Sequence, residues 1–155
     1  MAHLHYQDAP HYIYKISKRA QLELPFASGL KPGQIVANQF IELECIDDES
    51  VLLSIKTGYA WDGNSAGAKT ESWIVPSLAH DCFYQLMREG LLDRSLRKEA
   101  DKCMYYLLKK SMIRGNFFSR KIGATRARLS YLAVRQFGGQ YVKAVKVKAK
   151  KVKIH

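Results

Sequence analysis

The stretch SLAHDCFYQLMREGLLDRSLRKEAD, residues 77–101, opens with His80 and Asp81 side by side and closes on Asp101. Leu78, Cys82 and Leu86 recur at helical spacing, and Pro76 suits a first turn, where its missing N–H would be unpaired anyway. A helix is therefore expected over 76–89, stopped by Gly90. Asp93 or Ser95 can cap a second helix running to about residue 113, with Leu96, Ala100, Cys103, Met104, Leu107 and Leu108 on its apolar face. A connection of about five residues forces the two helices antiparallel. His80 and Asp101 stand at comparable distances from Leu91, so such a hairpin brings them together.

Upstream, residues 39–46 and 51–61 carry β-branched and aromatic residues in partial alternation around the acidic turn Asp47-Asp48-Glu49-Ser50 and read as a β-hairpin. A loop over 62–71 follows. Downstream, a third helix is expected over 117–137, with Phe118, Ile122, Leu129, Leu132 and Val134 as its apolar residues. After Gly138-Gly139, apolar and lysine residues nearly alternate to the end. The fold class is thus α+β: a small antiparallel hairpin or sheet, an antiparallel helical hairpin, a third basic helix and a cationic tail. One domain over 1–139 and a basic C-terminal tail over 140–155 are expected.

With 47% apolar and 25% charged residues in 155, the composition is that of a globular chain and excludes wholesale disorder. No window approaches the roughly 18 apolar residues of a bilayer span, and the first residues lack the apolar core of a signal peptide. No transmembrane segment and synthesis in the cytoplasm are expected. Cys45, Cys82 and Cys103 form neither a dense disulfide framework nor a CxxC zinc pair, and read as free thiols packed as small apolar groups, with a disulfide left open.

Charge divides the chain. Residues 1–101 hold 10 Lys/Arg against 14 Asp/Glu, whereas residues 102–155 hold 15 Lys/Arg and no acid. A one-sign segment of this kind attracts a polyanion: anionic phospholipid, nucleic acid or an acidic partner. No RNP, zinc-finger or helix-turn-helix pattern accompanies it, so any nucleic-acid signal is electrostatic.

A histidine near neutral pH takes a proton from water when a carboxylate fixes its tautomer and stabilises the imidazolium. Asp101 fits that role for His80. Asp81 points about 100° around the helix from His80 and reads instead as a cation ligand. The loop upstream supplies further oxygens from Asp62, Gly63, Asn64 and Ser65, between curl-permitting glycines, and calcium is the coherent ion for that donor set. Trp61 and Trp73 flank this loop and are either core residues or, with Ser65, contacts to a substrate or lipid interface.

His80-Asp81-Cys82-Phe83-Tyr84 resembles the HD-x-x-Y helix motif of the phospholipase A2 superfamily, and Asp101 on the next helix matches the aspartate that partners the catalytic histidine. The resemblance spans roughly 58–105. It implies His80 as general base, Asp101 as its partner, Tyr84 as the ring bonding that aspartate, Asp81 as calcium ligand, and hydrolysis of a phospholipid ester. A wider pattern, with Gly58, Trp61, Asp62, Ser65, Pro76, His80, Asp81, Tyr84, Ala100 and Asp101, resembles a family of small phage and prophage proteins of unknown function. That likeness implies a phage protein associated with the virion, and leaves open a non-catalytic structural, assembly or polyanion-binding role that keeps the same scaffold. Metal-dependent HD phosphohydrolases need another histidine on a preceding helix, and His3, His5 and His11 lie before the β-rich region instead.

Overall fold

The structure, a computed structural model, describes residues 4–8, 14–63, 71–113 and 117–143. The fold is α+β. Strands β1 (Tyr6–Asp8), β2 (Tyr14–Ile16) and β7 (Ala60–Trp61) form one antiparallel sheet in the order β1-β2-β7. Strands β3 (Ala20–Pro25), β4 (Ile35–Ala37), β5 (Ile41–Cys45) and β6 (Ser50–Ile55) form a second, in the order β3-β6-β5-β4.

The expected hairpin is β5-β6, registered by Leu43 opposite Leu53 and Cys45 opposite Val51. Alternation decides which face is buried: Ile41, Leu43 and Cys45 point inward while Glu42 and Glu44 stay partly exposed. At the turn, the Asp47 carboxylate accepts the Glu49 backbone N–H at 2.9 Å, a bond that holds its pKa below the usual value. The second strand is shorter than expected. A turn closed by the Tyr59 N–H on the Lys56 carbonyl ends β6, and Ala60–Trp61 cross to the other sheet.

Helices α1 (Glu71–Arg88), α2 (Arg97–Met112) and α3 (Phe117–Phe137) complete the chain, with a single 3-10 turn at Arg94–Leu96 and another at Gly138–Val142. The main core lies where α1 meets the sheets, and Phe26 stacks on Phe83 at 4.1 Å between ring centroids. Between α1 and α2 the chain turns sharply. Gly90 at φ 76° lets its N–H reach the Met87 carbonyl and the Leu91 N–H the Leu86 carbonyl, the paired bonds of a Schellman ending. Asp93 then accepts the Ser95 N–H at 2.7 Å, as the cap reading expects.

The first helix starts earlier than its sequence indicates, with Pro76 inside it. A proline there deprives the Ser72 carbonyl of its helical donor. Ser111 of α2 stands in, its Oγ 2.9 Å from Ser72 O and 3.1 Å from Leu108 O. Ser111→Ala is expected to cost about 1 kcal/mol by removing that donor, read as a lowered urea midpoint at unchanged slope.

The third helix has the expected bounds. Its packed face is Gly123 and Ala127, with Val134 partly covered, against Met104 and Leu108 of α2. A side chain at Gly123 would collide with the Met112 carbonyl, so a small residue permits this close approach. Four of its expected apolar residues, Phe118, Ile122, Leu129 and Leu132, are 77, 51, 62 and 50% exposed. Beyond it, Val142 returns to the main core. Residues 144–155, most of the expected tail, lie outside the described residues. Among the described residues no helix is long and apolar enough to cross a membrane.

Candidate active site

Three helices converge on one carboxylate. Asp101 is fully buried on α2, directly across the hairpin from α1, where His80 and Tyr84 sit one turn apart on the same stripe. His80 Nε2 lies 3.0 Å from Asp101 Oδ1, and the Tyr84 hydroxyl donates to the same oxygen at 2.7 Å. The other oxygen, Oδ2, accepts from Arg135 of α3 at 2.7 Å and has Arg97 Nε at 3.8 Å. The His80 and Tyr84 rings pack with centroids 4.0 Å apart.

The charge balance follows from these contacts. Burial alone would push the Asp101 pKa up, but bonds from His80, Tyr84 and Arg135 outweigh it and hold the group below its ordinary 3.8. An ionised carboxylate only accepts, so the proton between Asp101 and His80 belongs on Nε2 and the basic nitrogen is Nδ1. Burial opposes charge on His80 as well, yet Asp101 and Asp81 together raise its pKa above 6.5. Burial, reinforced by Asp101, raises the Tyr84 pKa far above the neutral range and keeps the phenol a donor.

Arg97 and Arg135 carry roles that the linear pattern does not reveal. Arg97 donates from Nε to the Tyr84 hydroxyl at 3.1 Å and from Nη2 to the Val134 and Arg135 carbonyls, satisfying the open end of α3. The Gly138-Gly139 pair explains how α3 can end so close. A Cβ at Gly138 would lie 2.7 Å from the Tyr84 hydroxyl, and one at Gly139 3.1 Å from an Arg97 nitrogen. Gly138→Ala is expected to cost about 1–3 kcal/mol through this overpacking, seen as a lowered thermal midpoint.

Asp81 is placed differently from its expectation. Its Oδ1 is 3.7 Å from His80 Nδ1, so Asp81 faces the same ring from the other side, though beyond direct hydrogen-bond range. Its side chain is 31% exposed against 11% for His80, which makes this the open side of the dyad. Burial, with a further push from Asp62, raises the Asp81 pKa despite the opposing pull of His80 and Arg88. Among the described residues no group of three His, Cys, Asp or Glu is gathered as a metal cage. Asn64 and Ser65 lie outside the described residues.

Both expected tryptophans pack into the fold. Trp61 is 2% exposed, stacks beside Tyr14 at 5.2 Å and donates its indole N–H to Ser77 at 3.1 Å, so it is a core residue and not a lipid contact. Trp73 wedges against Met104, Leu108 and Ala127. Gly63 has φ 69° and abuts the Tyr14 ring. Open depressions lined by Asp47, Glu49 and Tyr106, and by Tyr105, Lys109 and Ile113, include none of the site residues.

No family model, curated protein or solved structure matches the chain.

Proposed function

We propose that the protein is a phospholipase A2-like ester hydrolase of phage type, in which His80, oriented by Asp101, takes a proton from water attacking an ester carbonyl. The observation that carries this reading is the 3.0 Å contact between His80 Nε2 and buried Asp101, which leaves Nδ1 on the more open side. Asp101 holds the ring and stabilises its charged form; Tyr84 and Arg135 hold Asp101. The likeness of His80, Asp81, Tyr84 and Asp101 to the phospholipase A2 helical hairpin supports an ester of anionic phospholipid as the substrate. The wider phage-family resemblance supports a virion-associated protein.

Asp81 and Asp62, with oxygens from the following loop, are the residues that would hold calcium. Bound there, calcium would polarise the ester carbonyl as a Lewis acid. The test is fatty-acid release from phosphatidylglycerol vesicles with and without calcium. Release that requires calcium and disappears in His80→Asn supports the reading, and a folded wild-type protein that releases nothing under either condition ends it.

A second reading rests on the saturation of Asp101, which ties α2 to α1 through His80 and Tyr84 and to α3 through Arg135. On that reading the cluster is a structural clasp in a phage assembly or polyanion-binding protein. Full stability dependence on Asp101 together with absent hydrolysis would favour it.

A further inference from the structure

We infer that the outward face of α3 is a docking surface for an anionic lipid membrane, lying in the plane of the head groups. Phe118, Ile122, Leu129 and Leu132 follow one another at spacings of four, seven and three residues and are all at least half exposed. At about 100° per residue they fall within roughly 40° of one line along the helix, opposite the packed side of Gly123, Ala127 and Val134. Phe117 and Phe137, 78 and 63% exposed, stand near the two ends of the helix, about 100° to either side of that line. A helix that turns its large apolar residues outward and packs through glycine and alanine has reversed the usual arrangement.

Charge identifies the occupant. Lys121 and Arg128 border the stripe on one side and Arg126 on the other, all exposed, and α3 contains no acid. Basic residues flanking a convex stripe of phenylalanine and leucine suit the boundary between anionic head groups and acyl chains. A second copy of α3 would set these cations against one another, which disfavours self-pairing through the stripe. Nucleic acid would use the cations but gains little from Ile122, Leu129 and Leu132, whose aliphatic side chains cannot stack on bases. The inference does not rest on the hydrolase reading.

The experiment is co-sedimentation of the full chain with vesicles rich in phosphatidylglycerol and with vesicles of phosphatidylcholine alone. Binding is expected only to the anionic vesicles. Leu129→Gln/Leu132→Gln should weaken it at least about tenfold, and Lys121→Gln/Arg128→Gln by about tenfold or more. These positions are exposed, so circular dichroism should remain that of the wild type. His80→Asn should bind undiminished, which separates this surface from the proposed chemistry. The inference is overturned if anionic vesicles do not bind, or if the leucine pair can be replaced without loss. Duplex DNA binding insensitive to the leucines would assign the face to nucleic acid instead. Concentration-dependent dimers dissolved by Leu129→Gln/Leu132→Gln would assign it to a second copy.

Discussion

Asp101→Ala is expected to lower stability by about 3–5 kcal/mol, the scale for removing one partner of a buried, hydrogen-bonded charge cluster. The carboxylate is fully buried and its loss leaves His80, Tyr84 and Arg135 each without an acceptor. Desolvation has already been met by those groups, and nothing of matching shape replaces the acceptor. Urea unfolding measures the effect directly. A change below about 1 kcal/mol would mean that the three helices do not depend on this clasp. The same cluster gives stability a pH dependence. The lowered Asp101 pKa contributes stability that is present above 3.8 and is lost as pH falls through the still lower folded value. The raised His80 pKa contributes stability that is present below 6.5 and is lost as pH rises through the folded value. Unfolding midpoints should therefore be highest between these limits and fall on both sides, and Asp101→Ala should flatten both limbs.

His80→Asn is expected to reduce ester hydrolysis by about 10²–10⁴-fold, the range contributed by a positioned general base. Its effect on stability should be smaller than that of Asp101→Ala, because Asp101 keeps its bonds from Tyr84 and Arg135. Water activation needs the neutral ring, so activity should rise with pH through a midpoint above 6.5. Asp81→Asn removes one of the carboxylates that raise the His80 pKa, and should move the histidine titration, followed by NMR, to lower pH. An unmoved titration would remove Asp81 from the electrostatics of the dyad. A rate independent of pH across that range, in a folded protein, would remove His80 from the chemistry.

The helical hairpin was legible because its signals are local. Gly90 and Asp93 act within a turn of their own positions, and a short connection leaves two consecutive helices no arrangement but antiparallel. From that arrangement alone His80 meets Asp101, and Tyr84, one turn along the same stripe, reaches the same oxygen. Pro76 misled because its usual place is a first turn, and the donor that makes it tolerable inside α1 is Ser111, far along the chain. Trp61 offered no local clue to choose between core and interface; its burial depends on β2 and α1 arriving on either side.

The amino-acid pattern by itself determined the β5-β6 hairpin, the three helices apart from the start of α1, and the dyad, since each depends on neighbours within a few turns or on a single short connection. Tertiary structure decided what neutralises Asp101 and which way α3 faces. Arg135 lies 34 residues beyond Asp101, and only the docking of the last turn of α3, made possible by Gly138 beside Tyr84, brings its charge to the site. Periodicity marks an apolar stripe but not the direction it points. Close backbone approach at Gly123 and Ala127 packs the opposite face against α2, leaving Phe118, Ile122, Leu129 and Leu132 outside.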